Sequence, residues 1–161
     1  MLTTLRIKNL ALVSDLTLEL QPGCNVITGE TGAGKSIILG ALNLVLGERA
    51  DRTLIRSGED SCSVEAVFDV SFESLGRAGR NLKSEIDQFL EENGLEPCED
   101  NQLVLKRSFT SAGTNRQFIN GSATTLATLA SIGEWLVDMQ DRKSTRLNSS
   151  HGGISRMPSS A

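Results

Sequence analysis

No apolar run in this sequence approaches the ~18–20 residues that a membrane span requires, although hydrophobic residues make up 39% of its 161. The N-terminal MLTTLRIKNLALVSDL has no basic segment followed by an apolar block, which predicts no signal peptide. Cysteine is scarce: Cys24, Cys62 and Cys98 form an odd, widely spaced set. That set fits neither a metal-ligand spacing nor a disulfide framework, so a reducing compartment such as the cytoplasm is expected. The single histidine, His151, lies in a C-terminal tract with no structural period and receives no role. Internal repeats and coiled-coil heptads are absent. With 16 Lys and Arg against 20 Asp and Glu, the net charge of -4 excludes a uniformly basic nucleic-acid surface but leaves a local patch open.

What is present fits one domain with a real core, not two large ones. LTTLRIKNL alternates, with Leu5 and Ile7 on one side and Arg6 and Lys8 on the other. DLTLEL repeats the pattern through Leu16, Leu18 and Leu20, so the two read as a hairpin joined over Asn9 to Ser14. Gln21-Pro22-Gly23 is turn chemistry, and Cys24 to Thr28 reads as a short buried strand. IILGALNLVLG follows as a mostly buried helix with Gly47 as its stop. After a polar loop, SVEAVFDV alternates with Val64, Ala66, Phe68 and Val70 on one face. Ser84 to Asn93 forms an amphipathic helix with Ile86, Phe89 and Leu90 as its stripe. QLVLKRSF and NRQFIN predict two more strands, Asn120-Gly121 a tight turn, Thr124 to Ile132 a short helix and Trp135 to Met139 the start of a strand. Trp135 with its neighbours reads as core, and Cys24 as packing.

Gly29-Glu30-Thr31-Gly32-Ala33-Gly34-Lys35-Ser36 fits G-x-x-x-x-G-K-[ST] without a gap. Each position answers a physical demand. Glycines 29, 32 and 34 let the main chain approach a ligand with no Cβ in the way. Successive N–H groups make an anion nest, and the helix that starts near Lys35 adds its N-terminal dipole. Lys35 places a point charge on the β- and γ-phosphates, and the Ser36 hydroxyl is the Mg²⁺ ligand. The candidate site is therefore these eight residues with Ile37 behind them. Strand–loop–helix context sets it apart from a glycine-rich turn with a chance lysine. The loop does not distinguish ATP from GTP, but no NKxD-like guanine reader occurs, which favours ATP.

A strand pair, then VITGETGAGKSIILGALNLVLGERAD, LIRSGE, RQFINGSAT and LVDM together resemble the N-terminal ATPase-head segment of the RecN family, the bacterial DNA-repair members of the SMC-like branch of the ABC ATPases. The resemblance covers nearly all of residues 1–140. It implies an α/β fold: the N-terminal part of a P-loop NTPase head of the ABC and SMC-like kind, incomplete, with an antiparallel β-subdomain. It also implies ATP bound with Mg²⁺ between two heads, a homodimer of heads, DNA as partner, no membrane, a cytoplasmic and nucleoid-associated location, and recombinational repair of double-strand breaks as the process. In that family the Walker B acid, its neighbouring carboxylate, the signature motif, the switch histidine and the long coiled coil lie further along. None occurs in this sequence, so this piece alone is expected not to hydrolyse ATP. The resemblance also makes Arg56, and less closely Arg52, candidates for reaching nucleotide or DNA; the plain reading of both is solvated arginine. Lys106, Arg107 and Arg116 read most simply as a solvated sheet face, with DNA phosphates as the alternative, although alternation puts Lys106 and Arg107 on opposite faces; Arg6 and Lys8 read as a solvated edge, with an approach to nucleotide as the alternative.

From Asp141 the sequence DRKSTRLNSSHGGISRMPSSA is Ser-rich, without period and basic through Arg142, Lys143, Arg146 and Arg156. DRKSTRLNSSH and SRMPSSA resemble a translated sequencing-library adapter, and Gln140 stands where the family's His-Gly-Gln-His run should open. Residues 141–161 are therefore expected to be a non-native or disordered tail. The alternative functions are a nucleotide-binding subunit of an ABC transporter, a P-loop kinase or GTPase, and a non-enzymatic fragment. FINGSAT favours the repair ATPase over the transporter, and the hairpin ahead of the loop fits the kinases and GTPases poorly.

Overall fold

The computed structural model describes residues 2–20, 32–71 and 79–137. The turn expected at Gln21 to Gly23, the strand expected at Cys24 to Thr28, residues Gly29 to Thr31 and everything from Asp138 onward lie outside the described residues. Among the described residues six strands form one antiparallel sheet: β1 (Leu2–Leu10), β2 (Val13–Glu19), β3 (Ser61–Asp69), β4 (Gln102–Thr110), β5 (Asn115–Ile119) and β6 (Ser122–Thr124), in the order β2-β1-β3-β4-β5-β6. Among the described residues they are accompanied by the helices α1 (Gly32–Val45), α2 (Gly79–Glu92) and α3 over 126–137. A 3-10 turn, Arg52–Leu54, sits between α1 and β3.

Period-two alternation sets which side of the sheet is buried. Across the sheet, Ile7 lies opposite Val64, Val64 opposite Arg107, and Arg107 opposite Gln117. One step along, Leu5, Ala66, Leu105 and Ile119 form the parallel row. All eight side chains are buried. Ala41, Leu44 and Val45 of α1, Ile86 and Leu90 of α2, and Leu129, Ile132 and Leu136 of α3 join them in one core. In β1 the alternation slips twice. A bulge lies between Leu2 and Thr4, and Asn9 takes a φ of +56°, which together bury Leu2 and Leu10 as well as Leu5 and Ile7.

The turns follow their residue chemistry. The β1–β2 hairpin is tighter than the sequence suggests, with only Ala11 and Leu12 between paired Leu10 and Val13. Asn120 and Gly121 both have positive φ, +51° and +84°, as a type I′ turn demands. The Asn120 side chain ties the turn down: Oδ1 accepts from the Val104 N–H at 2.9 Å and Nδ2 donates to the Glu96 carbonyl at 2.9 Å. Strand β6, three residues long, follows at once and was not anticipated.

One expectation is corrected. Trp135 to Val137 belong to α3, not to a strand. Leu129, Ile132 and Leu136 are buried at helical spacing, and Trp135 packs edge-on against Phe89 of α2 with ring centroids 5.0 Å apart. Thr125 starts this helix, accepting on Oγ1 from the Thr128 N–H at 3.2 Å.

Helix α3 meets the end of α1 through missing side chains. A Cβ on Gly133 would stand 2.2 Å from the Leu46 carbonyl oxygen, and one on Gly47 would stand 2.5 Å from the Ala130 Cα. Gly47 carries the further demand of a φ of +106°. It ends α1 in a Schellman arrangement, with its N–H on the Leu44 carbonyl and the Glu48 N–H on that of Asn43.

Two outcomes follow from this packing. Gly133→Ala forces α3 off the end of α1 and should lower unfolding free energy by about 1–3 kcal/mol in urea titration. Burial pushes the Cys62 thiol up to about 11 from its ordinary value of 9.0. Between those two values the unfolded chain binds fewer protons than the folded one, so stability falls as pH rises through that window. Urea midpoints at pH 8.5 and 10.5 should therefore drop further for the wild type than for Cys62→Ala.

Candidate nucleotide-binding site

Helix α1 begins at Gly32, inside the glycine-rich motif. The second half of the motif is thus the first turn of a helix, where main-chain N–H groups have no intrahelical acceptor and the dipole favours an anion. Ser36 lies on the next turn with its side chain exposed, and Ile37 is half-buried against the core. Gly29, Glu30 and Thr31 lie outside the described residues, and for Gly32, Ala33, Gly34 and Lys35 only the helical backbone is described. A phosphate group suits this helix start, and a hydroxyl one turn in suits a hard cation that takes its other ligands from phosphate and water. Among the described residues no cluster of three or more His, Cys, Asp or Glu could hold a metal ion.

Helix α1 packs on β1, β3 and β4. At its far end it is held by a charge. Arg107 projects from β4 into the core with 1% of its surface exposed. Its Nη1 donates to the Leu44 carbonyl at 2.8 Å and also to the Glu48 carbonyl. Its Nε donates to Asn115 Oδ1 at 3.3 Å, which accepts as well from Gln117 Nε2 at 2.8 Å. Burial draws the guanidinium below its usual value, and an arginine side chain keeps its proton in a protein. Its Nη2 is buried without a hydrogen-bond partner among the described residues. Placing Arg107 on a solvated face is therefore corrected: it shares parity with Leu103, Leu105 and Phe109 and faces inward with them.

The other basic residues divide. Lys106 and Arg116 are exposed, as are Arg6 and Lys8. Glu65 stands opposite both Arg6 and Lys106 in the sheet, so charges alternate across that row and much of its field cancels locally. Arg56 is half-buried and donates from Nη1 to the Leu12 carbonyl at 2.7 Å, bracing the β1–β2 turn. Arg52 is exposed and reaches the Ser111 carbonyl at 3.4 Å. Asp51 caps the 3-10 turn: its Oδ1 accepts from the Thr53 N–H at 3.0 Å, which lowers its pKa. These contacts hold the segment after α1 against the β1–β2 and β4–β5 turns.

Comparison with known proteins joins this geometry to a family. The sequence profile described as the AAA domain matches residues 4–150. DNA repair protein RecN of Vibrio cholerae is 41% identical over 139 residues, covering 86% of this chain and 23% of that protein. RecN of Synechocystis is 35% identical over 149 residues, covering 91% and 24%. The chain thus spans about a quarter of the length of the curated relatives it matches. Among solved structures, an SMC ATPase studied for ATP-driven dimerization and DNA-stimulated activation superposes with a TM-score of 0.60 at 21% identity, over 83% of this chain and 78% of that one. The recombination mediator protein RecF superposes at 0.57 with 16% identity, over 80% and 29%. Both likenesses establish the fold: an α/β P-loop head with an antiparallel sheet.

Proposed function

The chain belongs to the AAA domain family, and on that footing we propose that it is the ATP-binding part of a RecN-like ATPase that acts in recombinational repair of DNA double-strand breaks. One observation carries the reading: the G-x-x-x-x-G-K-S motif runs directly into α1, which starts at Gly32 within a fold shared with SMC heads. Gly29 to Gly34 wrap their main-chain amides around the triphosphate. Lys35 neutralises its β- and γ-oxygens. Ile37 anchors the first turns of α1 in the core. The Ser36 hydroxyl would hold Mg²⁺, which would supply charge neutralisation and polarisation of the phosphates.

The partners belong to the whole protein. DNA and a second head complete the reaction in this proposal, since the relatives are repair proteins and the SMC neighbour was studied for ATP-driven dimerization. In this proposal residues 1–140 belong to the head segment and 141–161 lie outside it. A cytoplasmic, nucleoid-associated location follows from work on chromosomal DNA. Among the described residues no helix is long and apolar enough to cross a membrane. Nothing observed favours a transporter subunit.

Labelled ATP titrated with Mg²⁺ should saturate the wild-type chain. Lys35→Ala should weaken binding by about 100-fold or more, as expected when a charge-assisted hydrogen bond is removed from a desolvated site. Equal binding by the two proteins overturns the proposal. Turnover is a separate matter, because the family's Walker B acid and its neighbouring carboxylate have no counterpart motif in this sequence. The purified 161-residue chain should release phosphate no faster than Lys35→Ala, and a clear excess would show that the chain itself supplies a base.

A further inference from the structure

Phosphate chemistry at the start of α1 does not explain a buried cation at its end. We propose that Arg107 is a positioning residue of the nucleotide site, fixing α1 along its axis and thereby the seat of the phosphate loop. The inference rests on the nucleotide-binding reading above and adds to it a residue that no motif marks.

Three observations support it. First, one guanidinium nitrogen bonds both the Leu44 carbonyl in the last turn of α1 and the Glu48 carbonyl beyond its cap. Any slide or rotation of the helix breaks at least one of these bonds. Second, the bonds are not needed to end the helix. The Leu44 carbonyl already accepts from the Gly47 N–H at 3.2 Å in the Schellman turn. A hydrophobic side chain of similar volume would fill the space without the desolvation cost of a buried charge. What the guanidinium adds is direction: a rigid, planar fork holds its acceptors in one geometry, where an ammonium does not. Third, the fork is itself held. Asn115 Oδ1 accepts from Arg107 Nε and from Gln117 Nε2, so the β4–β5 hairpin fixes the orientation of the guanidinium. The 14 residues of α1 span about 21 Å. A helix packed along its length on three strands transmits a displacement at one end to the other.

The test compares four proteins: wild type, Arg107→Lys, Asn115→Ala and Ile86→Ala. Ile86 lies in α2, is fully buried, and its truncation destabilises the core without altering Arg107 or its partners. Each protein is titrated with labelled ATP and Mg²⁺ at a temperature well below its melting point, and melted separately. Arg107→Lys keeps the charge but loses the fork, and should weaken nucleotide binding on the order of tenfold. Ile86→Ala should lower the melting temperature and leave affinity within about twofold. An Arg107→Lys protein that binds like wild type, or an Ile86→Ala protein that weakens equally, reduces Arg107 to a structural residue and overturns the inference. Should Arg107→Lys not fold, Asn115→Ala decides in the same way: loss of affinity beyond that of Ile86→Ala supports the inference, and no such loss overturns it. A wild-type chain that binds no nucleotide brings down the functional reading and this inference together, an outcome distinct from binding that is merely insensitive to position 107.

Discussion

A helix that presents its N-terminus to an anion is only as well placed as the surface beneath it. In this chain that surface is the inner face of an antiparallel sheet, and the seat of α1 on it is the constraint from which the rest follows. Apolar contacts alone resist separation of helix and sheet but oppose sliding weakly, because they are non-directional. Direction comes from the far end of the helix. There Arg107 bonds two carbonyls, Gly47 turns the chain back at a φ of +106°, and α3 approaches so closely that Gly133 has no room for a methyl group. Each device is short-ranged and specific, and all three act within one turn of the same helix end.

A buried guanidinium is costly, and this one remains incompletely satisfied at Nη2. Two features offset that cost. The carbonyls at the C-terminus of α1 carry the negative end of the helix dipole, so the charge sits where the main-chain field favours it. The side chain also shares Asn115 with Gln117, which is itself buried, so the polar atoms form one connected group instead of several isolated ones. A fully apolar row through Ile7, Val64 and position 117 would pack at lower cost, yet it would leave the helix free to shift in register.

Most strands were legible because their alternation is a local signal: Val64, Ala66, Phe68 and Val70 declare one face without reference to anything distant. The Asn120-Gly121 turn was legible for the same reason, since few residues other than Asn and Gly accept consecutive positive φ values. The glycine-rich motif stands out because the chemistry proposed for it fixes eight consecutive positions, and the structure describes its second half as the first turn of α1. Three features were missed in different ways. Strand β6 is too short to show a period. Trp135, Leu136 and Val137 favour strands locally, whereas the helical spacing back to Ile132 and Leu129 pointed the other way. Arg107 shared parity with three apolar neighbours, a signal present in the sequence, but its charge suggested the surface. What no local reading supplies is its partner, 63 residues away in the chain.

The pleat of β4 gives neighbouring residues opposite tasks. Arg107 points into the core and grips α1, while Lys106 points outward, opposite Glu65 and in the same row as Arg6. If outward cations alone decided where a polyanion docks, this row would be a poor choice, because Glu65 stands between the two positive charges and offsets both. Its electrostatics suit self-pairing across the sheet more than counterion release from a phosphate backbone. The functional weight of the strand therefore lies inward. A strand that looks on its exposed face like ordinary solvated sheet carries on its hidden face the hydrogen bonds to the C-terminal end of α1, and substitutions one residue apart on β4 should have unrelated consequences.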